Sequence, residues 1–281
     1  MAVAAAHDTE VLSAVKGAGE LGLARAILVG DREKIARAAE TVGLELDAGM
    51  IIHRPDDREA AREAVALVSS GRAEMVMKGL ISTADFLHAV LDKEIGLQTG
   101  RLLSHVAAFE MPGFDRLIFV TDAAMNVAPD LLRKVDIVNN CASLARALGI
   151  REPRVAALAA AETVNPSMPA TIDGALLSKM SERGQIKGAI IDGPLALDNA
   201  ISVEAAEHKG IRGPVAGRAD ILLVPDIEAG NILYKSMTYF AGGKNAGVVA
   251  GASAPIILLS RADTHLAKMQ SIALGLMMSS Q

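Results

Sequence analysis

Ser260 and Arg261 end the apolar run 256–259 in the stretch PIILLSRADTHL and stand just ahead of an amphipathic segment. A hydroxyl and a guanidinium at the exit of a buried strand can grip an anion. A guanidinium beside a helix N-terminus opposes the helix dipole by roughly 0.3–1 kcal/mol unless a negative group lies between them. With such a group present, Ser260, Arg261 and the N–H groups of Ala262 and Asp263 converge on a phosphate or a developing oxyanion. Ser260 and Asp263 also have capping-box spacing, which gives Ser260 a purely structural alternative.

Three other stretches place polar groups where ligands bind in α/β sheets, outside the C-terminal ends of strands. In MKGLISTADFLHAVL, Lys78 ends a strand, Gly79 gives flexibility, and Ser82 precedes Asp85 by three residues. A helix N-terminus preceded by a cation attracts anions, although a capped helix end needs no ligand. In DGPLALDNAIS, Asp192 closes a strand and Gly193 follows it. In PDIEAGNILYKSM, Asn231 and Lys235 lie four apart, on one helical face. Solvated turn polars account for any one of these stretches alone.

Other motifs carry less. GAGELG matches a dinucleotide pattern in inverted context, with a helical segment before it and a strand after it. AGGKNAG lacks the hydroxyl residue and the spacing of a phosphate loop, and reads as a helix end with a turn. The six histidines are scattered, so zinc chemistry has no support. The single Cys141 sits in a helical stretch and excludes a disulfide framework; a buried, inert thiol is expected.

These residues need a scaffold, and the chain of 281 residues suits one large or two medium α/β domains. Aromatic residues are 2% of the total, so the core falls to Ala, Val, Ile, Leu and Met, and the scarcity argues against stacking platforms for single-stranded nucleic acid. The net charge of −5 offers no basic footprint for a duplex or an anionic membrane. An anionic substrate must then be held by a few local cations. No signal peptide or membrane span is legible, and a cytoplasmic protein is expected.

Apolar runs near 26–29, 50–53, 74–78, 117–121, 154–160, 188–192, 220–224, 247–250 and 256–259 predict strands. Three- and four-residue spacing predicts helices over 9–21, 33–42, 57–69, 84–91, 131–148, 169–183, 202–209, 230–241 and 264–278. RLLSHVAAFEMPGFDRLIFVTD reads as an antiparallel hairpin, so mixed, mostly parallel sheets are expected. The expected division is 1–121 with 254–281, and 122–253.

At these residues the sequence resembles the phosphate acetyltransferase and phosphate butyryltransferase family, from LARAILVGD to LLSRADT. The most specific block is ADILLVPDIEAGNILYKSMTYFAGGKNAGVVAGASAPIILLSR; MKGLISTADF, VNPSMPATIDG and IDGPLALDNAIS are further family-like blocks. The ending SRADTHLAKM looks more like the butyryl branch. The resemblance implies a homodimer of two three-layer α/β/α domains, similar in fold to isocitrate and isopropylmalate dehydrogenases, with the active site in a cleft between domains. It implies reversible transfer of a short acyl group, butyryl before acetyl, between coenzyme A and inorganic phosphate. Acyl-CoA, CoA, phosphate and acyl phosphate are then the partners, with CoA a substrate and no tightly bound cofactor or metal.

The family's Ser-Arg pair falls on Ser260 and Arg261. The aspartate of the acetyl branch, expected near Ala267, has no counterpart, and Asp263 is the nearest carboxylate. Substrate contacts are assigned to Lys78, Ser82, Thr83, Ser104, Asn126, Asn165, Asp192, Gly193, Asn231 and Lys235. Two other readings compete. A metal- and nicotinamide-dependent dehydrogenase on the similar fold needs an aspartate cluster at helical spacing, and none is legible. A non-catalytic phosphate or CoA binder would use Lys78, Ser260 and Arg261 without turnover.

Overall fold

The computed structural model describes residues 1–260 and 263–279, so Arg261 and Ala262 lie outside the described residues. In chain order the elements are β1 (Ala2–Ala4), α1 (Thr9–Glu20), β2 (Ile27–Gly30), α2 (Arg32–Val42), β3 (Ile51–His53), α3 (Asp57–Ser69), β4 (Val76–Lys78) and α4 (Thr83–Val90). The hairpin β5 (Ser104–Glu110) and β6 (Leu117–Thr121) follows, then α5 (Leu131–Ala147), β7 (Arg154–Leu158), α6 (Pro169–Glu182) and β8 (Ile190–Leu195). The chain continues through α7 (Leu197–Ile201), α8 (Val203–His208), β9 (Ile221–Leu223), α9 (Ile227–Tyr239), β10 (Lys244–Ala250), β11 (Ile256–Ile257) and α10 (His265–Ser279). Among the described residues no helix is long and apolar enough to cross a membrane.

Two compact units form: Met1–Arg101 with Ala246–Gln281, and Leu102–Asn245. The division departs from 1–121 with 254–281 and 122–253 because of strand pairing. β6 runs parallel to β9 through Phe119↔Ile221 and Thr121↔Leu223, which binds the hairpin to the second unit. β10 pairs antiparallel with β11 through Val249↔Ile256, which binds residues 246–253 to the first.

In the first unit the strand order is β3-β2-β1-β4-β11-β10. Its central strand, β1, has no counterpart among the expected strands. The stretch AVA is three residues long and its small side chains carry no alternation, because both faces are buried. Val3, Leu28, Met77 and Ile257 form one face with α1, α2 and Ile272 of α10, while α3 packs against β1 and β2 with Ala60, Ala61 and Ala64 fully enclosed. Gly17, of the motif GAGELG, lies inside α1: a β-carbon there would stand 2.9 Å from the Met269 sulfur, so it serves helix contact.

In the second unit the order is β5-β6-β9-β7-β8. Phe109, Val120, Leu222 and Val224 make a core with Tyr234 and Met237 of α9, and α5 and α6 cover the opposite face with Ile137, Cys141 and Leu177. Three of the five phenylalanines, Phe86, Phe109 and Phe119, are fully buried, so the aliphatic core is not purely so. The helix expected over 202–209 is α8, capped by the Ser202 hydroxyl (3.2 Å from the Ala205 N–H), and the short α7 ahead of it has no counterpart among the expected helices.

Candidate active site

Strands β4 and β11 run side by side in parallel, with Ile256↔Val76 and Ile257↔Met77. Their C-terminal ends bring Lys78 and Ser260 to one small hollow, lined also by Asp8, Gly79 and Lys268. Lys78 is buried, and its ammonium donates to the carbonyls of Ile81 (2.9 Å) and Gly79 (3.2 Å). Lys268 of α10 is buried too and donates to the Asp263 carbonyl. Ammonium groups in such surroundings need backbone dipoles around them, and they bring two positive charges to the corner, beside the carboxylate of Asp8.

Gly79 gives this corner its shape by lacking a side chain. Its N–H donates to the Ala4 carbonyl (2.8 Å) and the Leu80 N–H to that of Ala5 (2.9 Å). A β-carbon at position 79 would lie 2.4 Å from the Ala5 oxygen and 2.5 Å from the Ala4 oxygen. The sequence reading gave Gly79 flexibility; its role is close backbone approach. Gly79→Ala is expected to destabilise the chain by about 1–3 kcal/mol, the usual range for overpacking. The urea midpoint reads this, and an unchanged midpoint would contradict it.

Ser260 does not cap α10. The helix starts at His265, and the Thr264 hydroxyl accepts from the Ala267 N–H (3.3 Å). Asp263 folds back so that its carboxylate accepts from the Ser260 N–H (2.8 Å), while its own N–H donates to the Ser260 carbonyl (3.2 Å). The Asp263 amide is therefore engaged, and is not directed at an anion. Ser260 itself is exposed. Arg261 lies outside the described residues.

The N-cap of α4 is Ser82, which accepts from the Asp85 N–H (3.0 Å) and donates to the Asp85 carboxylate (2.7 Å). That bond, with Arg58 at 2.8 Å, holds the Asp85 carboxyl below its ordinary range. Ser82 is thus occupied as a cap, and Thr83 follows as the exposed first residue of the helix.

In the second unit, the turn after β6 is organised by a residue the sequence reading passed over. Asp122 is 2% exposed; its carboxylate accepts from the N–H groups of Ala124 and Met125 (2.9 Å each) and from the Asn126 amide (2.6 Å). Asn126 also donates to the Leu103 carbonyl (2.9 Å). Gly230, inside the first turn of α9, lets that helix close on this turn: a β-carbon there would lie 2.7 Å from the Asp122 carbonyl oxygen. Asn231 comes alongside, donating to the Ala123 carbonyl at 3.4 Å. Asp122, Asn126 and Asn231 so form one polar cluster. A carboxylate directly after a five-residue apolar strand was the available signal.

The remaining assigned residues are placed apart. Ser104 is fully enclosed, and its hydroxyl accepts from Asn140 (2.9 Å). Asn165 makes the turn into α6: its side chain accepts from the Ser167 N–H (2.9 Å). Asp192 does not end its strand, because β8 continues to Leu195. Its carboxylate accepts from the Gly193 N–H (2.8 Å). Gly193 packs tightly, with Ala157 2.8 Å from where its β-carbon would stand. Lys235 is exposed, with its ammonium 5.9 Å from the rings of both Tyr234 and Tyr239.

Cys141 is fully buried in α5, and burial pushes its thiol well above the ordinary range. No thiolate is available there for covalent catalysis. Among the described residues no group of three or more His, Cys, Asp or Glu could hold a metal ion.

A family profile described as phosphate acetyl/butaryl transferase matches residues 56–276. The chain is 55% identical to phosphate butyryltransferase from Clostridium acetobutylicum over 98% of its own length and 91% of that protein's. It is 46% identical to phosphate acetyltransferase from Thermotoga maritima, covering 98% of this chain and 93% of that one. The crystal structure of a branched-chain phosphotransacylase from Enterococcus faecalis superposes with a TM-score of 0.85 at 34% identity, covering 99% of each chain. A 4-hydroxythreonine-4-phosphate dehydrogenase from Klebsiella pneumoniae, 13% identical with a TM-score of 0.57 over 99% and 98% of the two chains, shares the fold alone.

Proposed function

The chain belongs to the phosphate acetyl/butyryl transferase family, and on that premise we propose that it moves a butyryl group reversibly between coenzyme A and inorganic phosphate. A phosphate oxygen attacks the thioester carbonyl, the new C–O bond forms, the C–S bond breaks, and the sulfur leaves as CoA thiol once protonated. No cofactor is held between turnovers; CoA is a substrate. The protein works as a cytoplasmic homodimer, the assembly the family resemblance implies.

The observation that carries this reading is the corner at the ends of β4 and β11, where two buried ammonium groups, Lys78 and Lys268, flank Ser260. Both substrates are anions, and the net charge of −5 makes such a local positive site necessary. Arg261 binds phosphate and offsets charge on the tetrahedral oxygen, and Ser260 hydrogen-bonds the reacting thiol or carbonyl. Asp263 orients Ser260 through its backbone bond and is the nearest carboxylate in sequence. Asn126 and Asn231 contact substrate from the cluster around Asp122. Direct attack is supported by the inert Cys141, and it predicts that labelled CoA does not exchange into butyryl-CoA when phosphate is absent.

The higher identity to the butyryl-transferring relative supports butyryl over acetyl. Two extra methylenes buried at about 0.8 kcal/mol each correspond to roughly 15-fold in kcat/KM. Comparing butyryl-CoA with acetyl-CoA at saturating phosphate measures this; equal values would contradict the butyryl preference.

A further inference from the structure

The second unit holds a pocket of about 450 Å³, formed by α8 and the loop 210–218 that leads from α8 to β9, and none of the roles above uses it. The backbone fixes this loop at both ends. The Ile211 N–H donates to the Ala206 carbonyl (2.9 Å), the Gly217 N–H to that of Asn199 (2.6 Å) and the Ala219 N–H to that of Ala200 (3.0 Å). Gly217, at φ +71°, lies so close to α8 that a β-carbon there would stand 2.5 Å from the Val203 α-carbon. The pocket is thus shaped by the chain itself, and its volume falls within the roughly 300–1,000 Å³ that small ligands occupy.

Its floor is apolar: Ala206 and Ala216 are buried, and Ile211 is half-buried beside Val203. Its charged residues are Arg212, Arg218 and Glu207, all exposed. None of these three side chains has a hydrogen bond or ion pair among the described residues. Two guanidiniums lining one small pocket repel each other unless an anion lies between them.

The balance of charge indicates which anion. Two guanidiniums against the Glu207 carboxylate leave one positive charge to be matched. Asp192 stands behind the loop, with a carboxylate oxygen 2.8 Å from where a β-carbon of Gly213 would lie, so a dianion meets added repulsion. A guanidinium presents paired, coplanar N–H donors, the geometry that a carboxylate accepts with both oxygens. We propose that this pocket binds a short aliphatic monocarboxylate, held at its charged end by Arg212 and Arg218, with its carbon chain on Val203, Ala206, Ile211 and Ala216. Binding here is independent of the acyl-transfer reading above.

The test is calorimetric titration of the purified full chain with acetate, butanoate, hexanoate and methyl phosphate at low salt. Affinity is expected to rise from acetate to hexanoate by up to about fourfold per methylene buried, and methyl phosphate is expected to bind more weakly than butanoate. Arg212→Gln and Arg218→Gln should each weaken butanoate binding roughly tenfold, the loss of a hydrogen bond to a charged group. Both side chains are exposed, so the fold should survive, which circular dichroism checks. Arg212→Lys keeps the charge and loses the paired donors, and should bind more weakly than wild type. Ser260→Ala should bind butanoate as the wild type does. Absence of butanoate binding, equal binding by wild type and both glutamine variants, loss of binding in Ser260→Ala alone, or tighter binding of methyl phosphate would each overturn the assignment.

Discussion

Alanine at Arg261 or at Ser260 is expected to lower the phosphate-dependent turnover of butyryl-CoA about 10²–10³-fold each, the usual loss when one donor aimed at a developing oxyanion is removed. Arg261→Lys should recover little, because an ammonium keeps the charge but not the planar two-point grip on phosphate. The structure separates this from a stability effect. Since Thr264 and not Ser260 caps α10, Ser260→Ala should cost less stability than Thr264→Ala. Thr264→Ala should lower stability by about 1 kcal/mol, the typical worth of a cap. A Ser260→Ala variant that unfolds before Thr264→Ala, or turns over at nearly the wild-type rate, would contradict the assignment.

Asp173→Ala is expected to cost about 3 kcal/mol of stability, the lower end for breaking a buried ion pair, because Asp173 keeps some exposure. Its partner Lys134 is 5% exposed and would be left with an uncompensated ammonium beside an apolar cavity. The double variant Lys134→Met, Asp173→Leu removes both charges and should regain most of the loss. Urea unfolding of the wild type and the variants measures it. A double variant as unstable as Asp173→Ala would mean that lost packing, not a stranded charge, dominates.

The order of strands and helices was legible because most elements have one buried face and a period to match. Asp57–Ser69 and Leu131–Ala147 were recoverable to within a residue, since a capping aspartate precedes each and their apolar residues repeat at helical spacing. β1 was not, because a three-residue strand of Ala and Val covered on both sides has no period to detect. The extent of β8 was hidden for a related reason: Gly193 and Pro194 read as a turn, yet Gly193 is needed for β8 to lie against Ala157 and Gly174.

The candidate site was half legible. Strand ends flagged Lys78 and Ser260, and helical spacing flagged Asn231. Lys268, Asp122 and the Lys134–Asp173 pair escaped, because a single charge in an apolar run reads as a solvated residue until its burial is known. Ser104 and Asn165, assigned to substrate, make local hydrogen bonds in this structure, Ser104 with Asn140 and Asn165 in the turn before α6.

Release of free thiol from butyryl-CoA by the purified chain, followed with and without inorganic phosphate, tests the central claim most directly. The account predicts release that depends on phosphate, stops with Arg261→Ala, and yields butyryl phosphate in equal amount. Thiol release that proceeds at the same rate without phosphate, or no release at all, would contradict it.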